Sequence, residues 1–433
     1  MIRTFPILLC GLAVACTFDV RPGADSGGIE AALPERKVMV SAQLFYPERI
    51  ALPPDAVVHV RIDRVTEHGS STLVEYRNAL QGRQVPVPLG LSFDHASDPG
   101  SLHELRASIH HRQLPLRDTG PVLLEPEGEA LDLGRLRLFS RSASTFGHAW
   151  ECGDRQLQFA AFGDRARLTV DRQQVALERV PTASGVRYQA GEGVETWVHE
   201  KSGEHRFSVD GETLDDCRPW PGVSRPVVAG GHEPGWRLEL LEDAVALDYD
   251  YGERSLALPL IDTQFEGLRE HFRAAADGRA LIATFSQSLC RDSATGMPHP
   301  WTVSVQVAGR RLEGCGGEPI ELLTGRDWRI EQVGDERPGE RDVDMTLRFD
   351  ADGRLSGQAA CNSYFADYTL TPERLSIARP GATLMACPGD TLGLDQRLFE
   401  LLAATRRFDI DQRGRLVLIS EQGRIEASAD DGR

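Results

Sequence analysis

Lysine is nearly missing from this chain. Lys37 and Lys201 are the two lysines among 48 basic residues in 433, the others being arginine. Long apolar runs are missing too: beyond the N-terminus nothing approaches the roughly 18 to 20 apolar residues that a membrane-spanning helix needs. Catalytic signatures are also absent. The sequence has no Gly-x-Ser-x-Gly elbow, no His-Glu-x-x-His helix and no glycine-rich phosphate loop ahead of a helix, and so reads as a non-enzyme with neither cofactor nor metal. His299, between two prolines, has no second ligand at metal spacing and reads as a loop histidine. Asp350-Ala351-Asp352-Gly353 opens like a calcium loop, but Ala359 stands where an acid is required, so hairpin-turn chemistry explains it. Positive charge is in deficit: 48 basic against 65 acidic residues give −17. That balance disfavours nucleic acid and anionic membrane surfaces as partners and favours cationic ones.

Eight cysteines are present. Cys10 and Cys16 lie in the N-terminal apolar stretch, and Cys152/Cys217, Cys290/Cys315 and Cys361/Cys387 follow as pairs within separate strand-rich blocks. Six cysteines allow many connectivities; pairing between neighbours is the simplest and implies three stapled units in an oxidising compartment. Arg3, the apolar residues 5–12 and then Leu12-Ala13-Val14-Ala15-Cys16 form a signal segment ending in small residues before a cysteine. The arrangement resembles a bacterial lipobox, which implies a lipidated Cys16 after removal of residues 1–15; an ordinary signal peptide cut at Ala15 is the other reading. Thr17, where Asp would signal inner-membrane retention, points to an outer-membrane lipoprotein facing the periplasm.

Residues 16–37 read as lipidated cysteine and flexible tether, rich in Pro, Gly and Ser. Beyond them, short alternating apolar runs separated by Asp-Gly, Gly-Asp and Pro predict strands to the end, with helical periodicity confined to pieces such as 391–405. Val209-x-Gly211-x-x-Leu214-x-x-Cys217 is echoed by Val307-x-Gly309-x-x-Leu312-x-x-Cys315, which suggests two related hairpins, each with a cysteine stapled to an earlier strand.

Four resemblances follow in chain order. Phe45-Tyr46-Pro47-Glu48-Arg49 and Pro53-Pro54-Asp55 lead into Val57, His59, Arg61 and Asp63 alternating with Val58, Val60, Ile62 and Arg64. The second set forms the inward face. The segment resembles the YbaY/YscW lipoprotein family, which implies a β-sandwich over 38–139 and a kinship with pilot proteins for secretins. Residues 225–318, marked by Trp236, the 248–252 Asp-Tyr-Asp-Tyr-Gly run and Cys290-Arg291-Asp292, resemble an uncharacterised domain of outer-membrane lipoproteins. Leu323-Thr324-Gly325-Arg326-Asp327-Trp328, Cys361-Asn362 and Met385-Ala386-Cys387-Pro388 resemble the META domain typified by the lipoprotein HslJ, over 320–430.

The second segment, 146–219, carries the most chemistry. Trp150, Cys152-Gly153-Asp154, Ser184-Gly185-Val186-Arg187-Tyr188, Thr196-Trp197-Val198-His199 and Cys217 stand in the order seen in membrane-bound inhibitors of c-type lysozyme. The resemblance implies that a Ser-Gly loop enters the lysozyme cleft, where its serine and a later lysine engage the catalytic carboxylates. Ser184, Gly185, Tyr188, Trp197, His199 and Lys201 are the candidate lysozyme-binding residues. His199 occupies the lysine's place and Lys201 lies two residues on, so either a pH-sensitive imidazolium or the lysine supplies the cation. From residue 188 to 217 there are eight acidic and two basic residues, suited to a cationic partner. The chain is thus expected to be mainly β: a β-sandwich, small antiparallel β-barrel-like domains and a C-terminal META domain with a short helix. Its expected function is lipid-anchored inhibition of c-type lysozyme. The alternative is a structural, chaperone-like or pilotin-like envelope protein.

Overall fold

Alternating apolar residues broken by tight turns make strands throughout. The computed structural model describes residues 35–429 except 97, 113, 141–147, 154, 163, 171–172, 192–194, 202–203, 221, 342, 386–390 and 412–413. Cys10, Cys16 and Cys387 lie outside the described residues, and so do the signal segment and nearly all of the tether. Among the described residues the chain forms mainly strands and a single α-helix, Thr391–Ala404.

The first unit is a sandwich. Glu35–Phe45 runs between Val87–Ala96 and Ala130–Arg137, and this sheet faces a second one built around Val57–Thr66 and Leu102–His111. Val38, Val40, Val60, Ile62, Leu105 and Ile109 fill the space between them. The expected inward face of Val57–Thr66 holds for Val58, Val60 and Ile62 and, at its half-buried end, for Arg64, which pairs with His103, whose ring lies 5.3 Å from the core residue Phe93. Asp63 and Val65 are buried on the other face, which the third unit covers: Val65 packs with Ala275, Ala280 and Ile282, and Asp63 pairs with Glu104, which bonds Arg273 of that unit. Asp63 accepts hydrogen bonds from Arg61 Nη2 at 2.5 Å and Thr72 Oγ1 at 2.6 Å, which satisfy its buried charge.

The second unit is a nine-stranded antiparallel sheet whose last strand, Cys217–Pro219, returns to pair with the first, His148–Cys152. Cys152 and Cys217 face each other in register and are disulfide-bonded. The third is a closed eight-stranded barrel, Val227–His232 meeting Arg310–Gly316 through Ala229 opposite Gly316. Cys290 and Cys315 form its disulfide. Cys361 is disulfide-bonded as well. The repeated sequence pattern marks one kind of turn: Asp210-Gly211 and Ala308-Gly309 both take positive φ, as a two-residue hairpin requires. The C-terminal unit is a nine-stranded sheet closed over its core by the helix, which buries Leu394, Leu398, Leu401 and Leu402 at helical spacing.

The units also pack on one another. Trp220 leaves the second unit and lies against Trp301 and Phe265 of the barrel, at centroid distances of 5.7 and 5.9 Å. Beside it, Val223 N–H donates to Glu270 Oε2 at 2.7 Å. Burial pushes the Glu270 carboxyl up to about 7, against the pull of that N–H and of Arg225. In the unfolded chain the same carboxyl ionises near 4.3, so the native state loses stability as pH rises between these two values. Glu270→Gln keeps an acceptor for Val223 but never ionises. It is expected to be more stable than wild type by on the order of 2 to 3 kcal/mol at pH 8 and equal to it below about pH 4. Urea unfolding at both pH values checks this; an equal stability difference at the two would refute it.

Candidate functional site

The loop 181–185 joins the strands Gln173–Val180 and Val186–Gln189 at one end of the second unit. Gly185 has φ +74°, and a Cβ there would lie 2.2 Å from the Glu200 carbonyl oxygen and 3.1 Å from His199 Nε2. Glycine is therefore demanded twice, by conformation and by the close approach to the strand Trp197–Lys201. Two side chains fix the carbonyl of Ser184: Thr182 Oγ1 donates at 3.2 Å and His199 Nε2 lies at 2.9 Å. A carbonyl only accepts, so His199 carries its hydrogen on Nε2 in this contact. The exposed Ser184 side chain has no protein partner among the described residues, leaving its hydroxyl directed at solvent.

The candidates divide by face. Pairing places Arg187 opposite His199 and His199 opposite Arg206, while Gln189 pairs with Trp197 and Lys201 with Glu204. Residues directly opposite share a face, as do residues two apart, so Arg187, Trp197, His199, Lys201 and Arg206 lie on one outer face beside the Ser-Gly tip. Arg187 stacks over the Trp197 ring at 4.4 Å, and Lys201 Cβ adjoins Gly185. Lys201 and Arg206 are exposed and make no ion pair or hydrogen bond among the described residues. Tyr188 belongs to the opposite face. It is 6% exposed, packs against Phe159 at 5.7 Å, and has its phenol pushed upward by burial, so its role is to build the core beneath the loop. Trp150, its ring tilted against His205 at 4.6 Å, is a core residue as well.

Arg187 and Arg206 are residues that motif reading passes over. The signal that finds them is strand register: each is the cross-strand neighbour of His199, at 12 and 7 residues' distance in the chain.

Three family models match this chain. Residues 35–128 match the type III secretion system lipoprotein chaperone (YscW) model. Residues 150–215 match the membrane-bound lysozyme-inhibitor of c-type lysozyme (MliC) model, and 321–431 the META domain model. The MliC match spans the loop, the outer face and both strands that support it. No curated protein matches the chain. Among solved structures, an alternative pilotin from the type II secretion system of Vibrio cholerae is 19% identical, over 25% of this chain and 99% of that one, with a TM-score of 0.22. A protein from Burkholderia xenovorans is 21% identical, over 26% and 86%, with a TM-score of 0.23.

The remaining motifs have structural explanations. In the META segment, Cys361 N–H, Asn362 N–H and Asn362 Nδ2 all donate to the buried Asp395 carboxylate on the helix, at 3.1, 3.1 and 2.9 Å. The Cys-Asn pair thus ties the turn between the strands Arg354–Gln358 and Ser363–Thr371 to the helix. His299 Nδ1 lies 2.8 Å from the Gly317 carbonyl, holding a loop. Asp350 accepts the hairpin bond of Gly353 N–H at 3.1 Å. Among the described residues no three His, Cys, Asp or Glu side chains cluster as metal ligands, and no helix is long and apolar enough to cross a membrane.

Proposed function

We propose that the MliC-type segment binds the active-site cleft of c-type lysozyme through Ser184 at its exposed tip, with Lys201 as the cation that meets a carboxylate and His199 as a positioning residue. The observation that carries this reading is the His199–Ser184 contact at 2.9 Å. It occupies the imidazole nitrogen nearest the loop, whereas the Lys201 ammonium has no protein partner among the described residues and adjoins the same glycine. Lysine is charged throughout the physiological range, so inhibition should change little with pH between 5.5 and 7.5 through this contact. The acidic run around the tip favours encounter with a cationic enzyme and should make association slower as salt rises. The mature chain is expected to bind hen egg-white lysozyme at low salt and to suppress its muramidase activity. Absence of both would leave the structural, chaperone-like reading, which the YscW match favours for the first unit.

The reading places the protein in the envelope on a lipid attached at Cys16, facing the periplasm from the outer membrane, with four units over 38–139, 146–219, 225–318 and 320–430. Several acyl chains would hold it there, each buried methylene contributing about 0.8 kcal/mol. Cys16→Ser is expected to remain unprocessed and to take up no alkyne palmitate in labelled cells; equal labelling of variant and wild type would rule out Cys16 as the anchor.

A further inference from the structure

Where the sandwich meets the barrel, a cleft of about 220 Å³ opens between Thr119, Gly120, Pro121 and Phe139 on one side and the barrel's outer face on the other. Strand register sets what lines that face. Arg269 lies opposite Ser286, which lies opposite Thr302; one step along, His271, Thr284, Ser304 and Glu313 form the next row. Arg311 borders the same space.

Most of these polar groups are already engaged within the protein. His271 bonds Thr284 Oγ1 through Nδ1 and Glu266 Oε2 through Nε2, each at 2.9 Å. Thr302 is paired with Ser288. Glu313 Oε1 accepts from Arg311 Nε at 3.0 Å. Three groups are left over: the Arg269 guanidinium and the hydroxyls of Ser286 and Ser304 make no hydrogen bond among the described residues. Arg269 is also only half-exposed, and burial lowers its pKa; Glu266 opposes that, while the like charge of Arg311 adds to it. A guanidinium offers five donors in a fork suited to oxyanions. Glu266, the cross-strand neighbour of Arg269, offsets part of the cost, but the guanidinium stays partly desolvated with its donors unused among the described residues, and an entering anion would take them.

We infer that this cleft binds a small oxyanion, a phosphate or carboxylate group, on Arg269, with Arg311, Ser286 and Ser304 as further donors. Its volume equals that of about seven waters at ~30 Å³ each, enough for inorganic phosphate or a small organic acid. Its position between two packed units is a common one for ligand sites. The site lies outside the MliC-type segment, so it stands or falls independently of lysozyme binding.

The test uses the mature chain, followed by thermal unfolding and titration calorimetry with sodium phosphate and with sodium acetate, against sodium chloride at matched ionic strength. A saturable rise in melting temperature with phosphate, acetate or both is expected, the pattern naming the preferred oxyanion. Arg269→Gln should weaken that binding about tenfold or more. The readout is the anion-dependent rise in melting temperature relative to each variant's own value in chloride, which an arginine that only faces Glu266 would not change. Ser286→Ala and Ser304→Ala, which leave the charge in place, should each weaken binding by a smaller factor and serve as the test if the arginine variant does not fold. No response beyond chloride with either anion, or an unchanged response in Arg269→Gln or in both serine variants, overturns the assignment.

Discussion

Ser184→Ala in the mature chain is expected to weaken lysozyme binding by one to two decades, and Gly185→Ala to weaken it at least as much. The serine hydroxyl is exposed, without a protein partner, at the tip of a loop whose carbonyl is pinned by Thr182 and His199. A hydrogen bond from such a group to a carboxylate is charge-assisted, worth about 1.5 to 3 kcal/mol, which sets the size of the loss. Gly185→Ala leaves that hydroxyl intact but places a methyl group 2.2 Å from the Glu200 carbonyl oxygen, so the tip must move away from the strand that carries Lys201. His199→Ala and Lys201→Ala separate the two remaining roles. The lysine variant should lose an affinity increment that salt also removes, because an exposed ion pair is screened. The histidine variant should lose one that salt does not, because it loosens the loop. Calorimetry at low and high salt on the four variants checks all of this. Wild-type affinity in both Ser184→Ala and Gly185→Ala would remove the tip from the contact.

Local chemistry made much of this architecture legible. Alternation from 57 predicts a strand with Val58, Val60 and Ile62 inside, and the periodicity of 391–405 predicts a helix; both are found, the helix burying Leu394, Leu398, Leu401 and Leu402. The repeated Gly-x-x-Leu-x-x-Cys pattern is legible because positive φ at a two-residue hairpin turn is a local demand, met here by Asp210-Gly211 and Ala308-Gly309. What escapes such reading is decided across long sequence distances. Asp63 and Val65 are buried on the outer face because the barrel covers it, a contact between units far apart in the chain. Tyr188, conspicuous in a motif, turns out to pack inside, while Arg206, outside any motif, stands beside His199. A motif gives order along the chain, and a face depends on register. The barrel's closure through Ala229 and Gly316 and its cover by Trp220 are likewise products of topology.

The most consequential of these long-range features is ionic, and breaking it should have the largest effect on stability. Arg273→Met is expected to destabilise the protein by about 3 to 5 kcal/mol, the usual result of removing one member of a buried pair. Arg273 is 1% exposed on the barrel strand Arg269–Ala276 and reaches the sandwich, donating from Nε to Glu104 Oε2 at 2.6 Å and from Nη2 to Glu104 Oε1 at 3.1 Å. Nη1 donates to Asp262 Oδ2 at 2.9 Å and Nη2 also to Gln264 Oε1 at 3.0 Å. Burial pushes the Glu104 carboxyl up, but Arg106 and Arg273 outweigh it and hold the group below the ordinary glutamate range. Without Arg273, Glu104 keeps Arg106 Nε at 2.8 Å but loses a two-pronged partner while remaining almost inaccessible to water. Arg273→Lys should recover only part of the loss, since an ammonium cannot reproduce the fork. Arg273→Met combined with Glu104→Leu should be less destabilised than the sum of the single variants, because the stranded charge is gone. Urea midpoints for wild type, both single variants, the lysine variant and the double supply the cycle. A loss under about 1 kcal/mol in Arg273→Met would mean that water or a neighbouring side chain compensates Glu104, and that apolar contacts such as Leu102 and Leu123 against Ala275 and Ile282 hold the sandwich to the barrel instead.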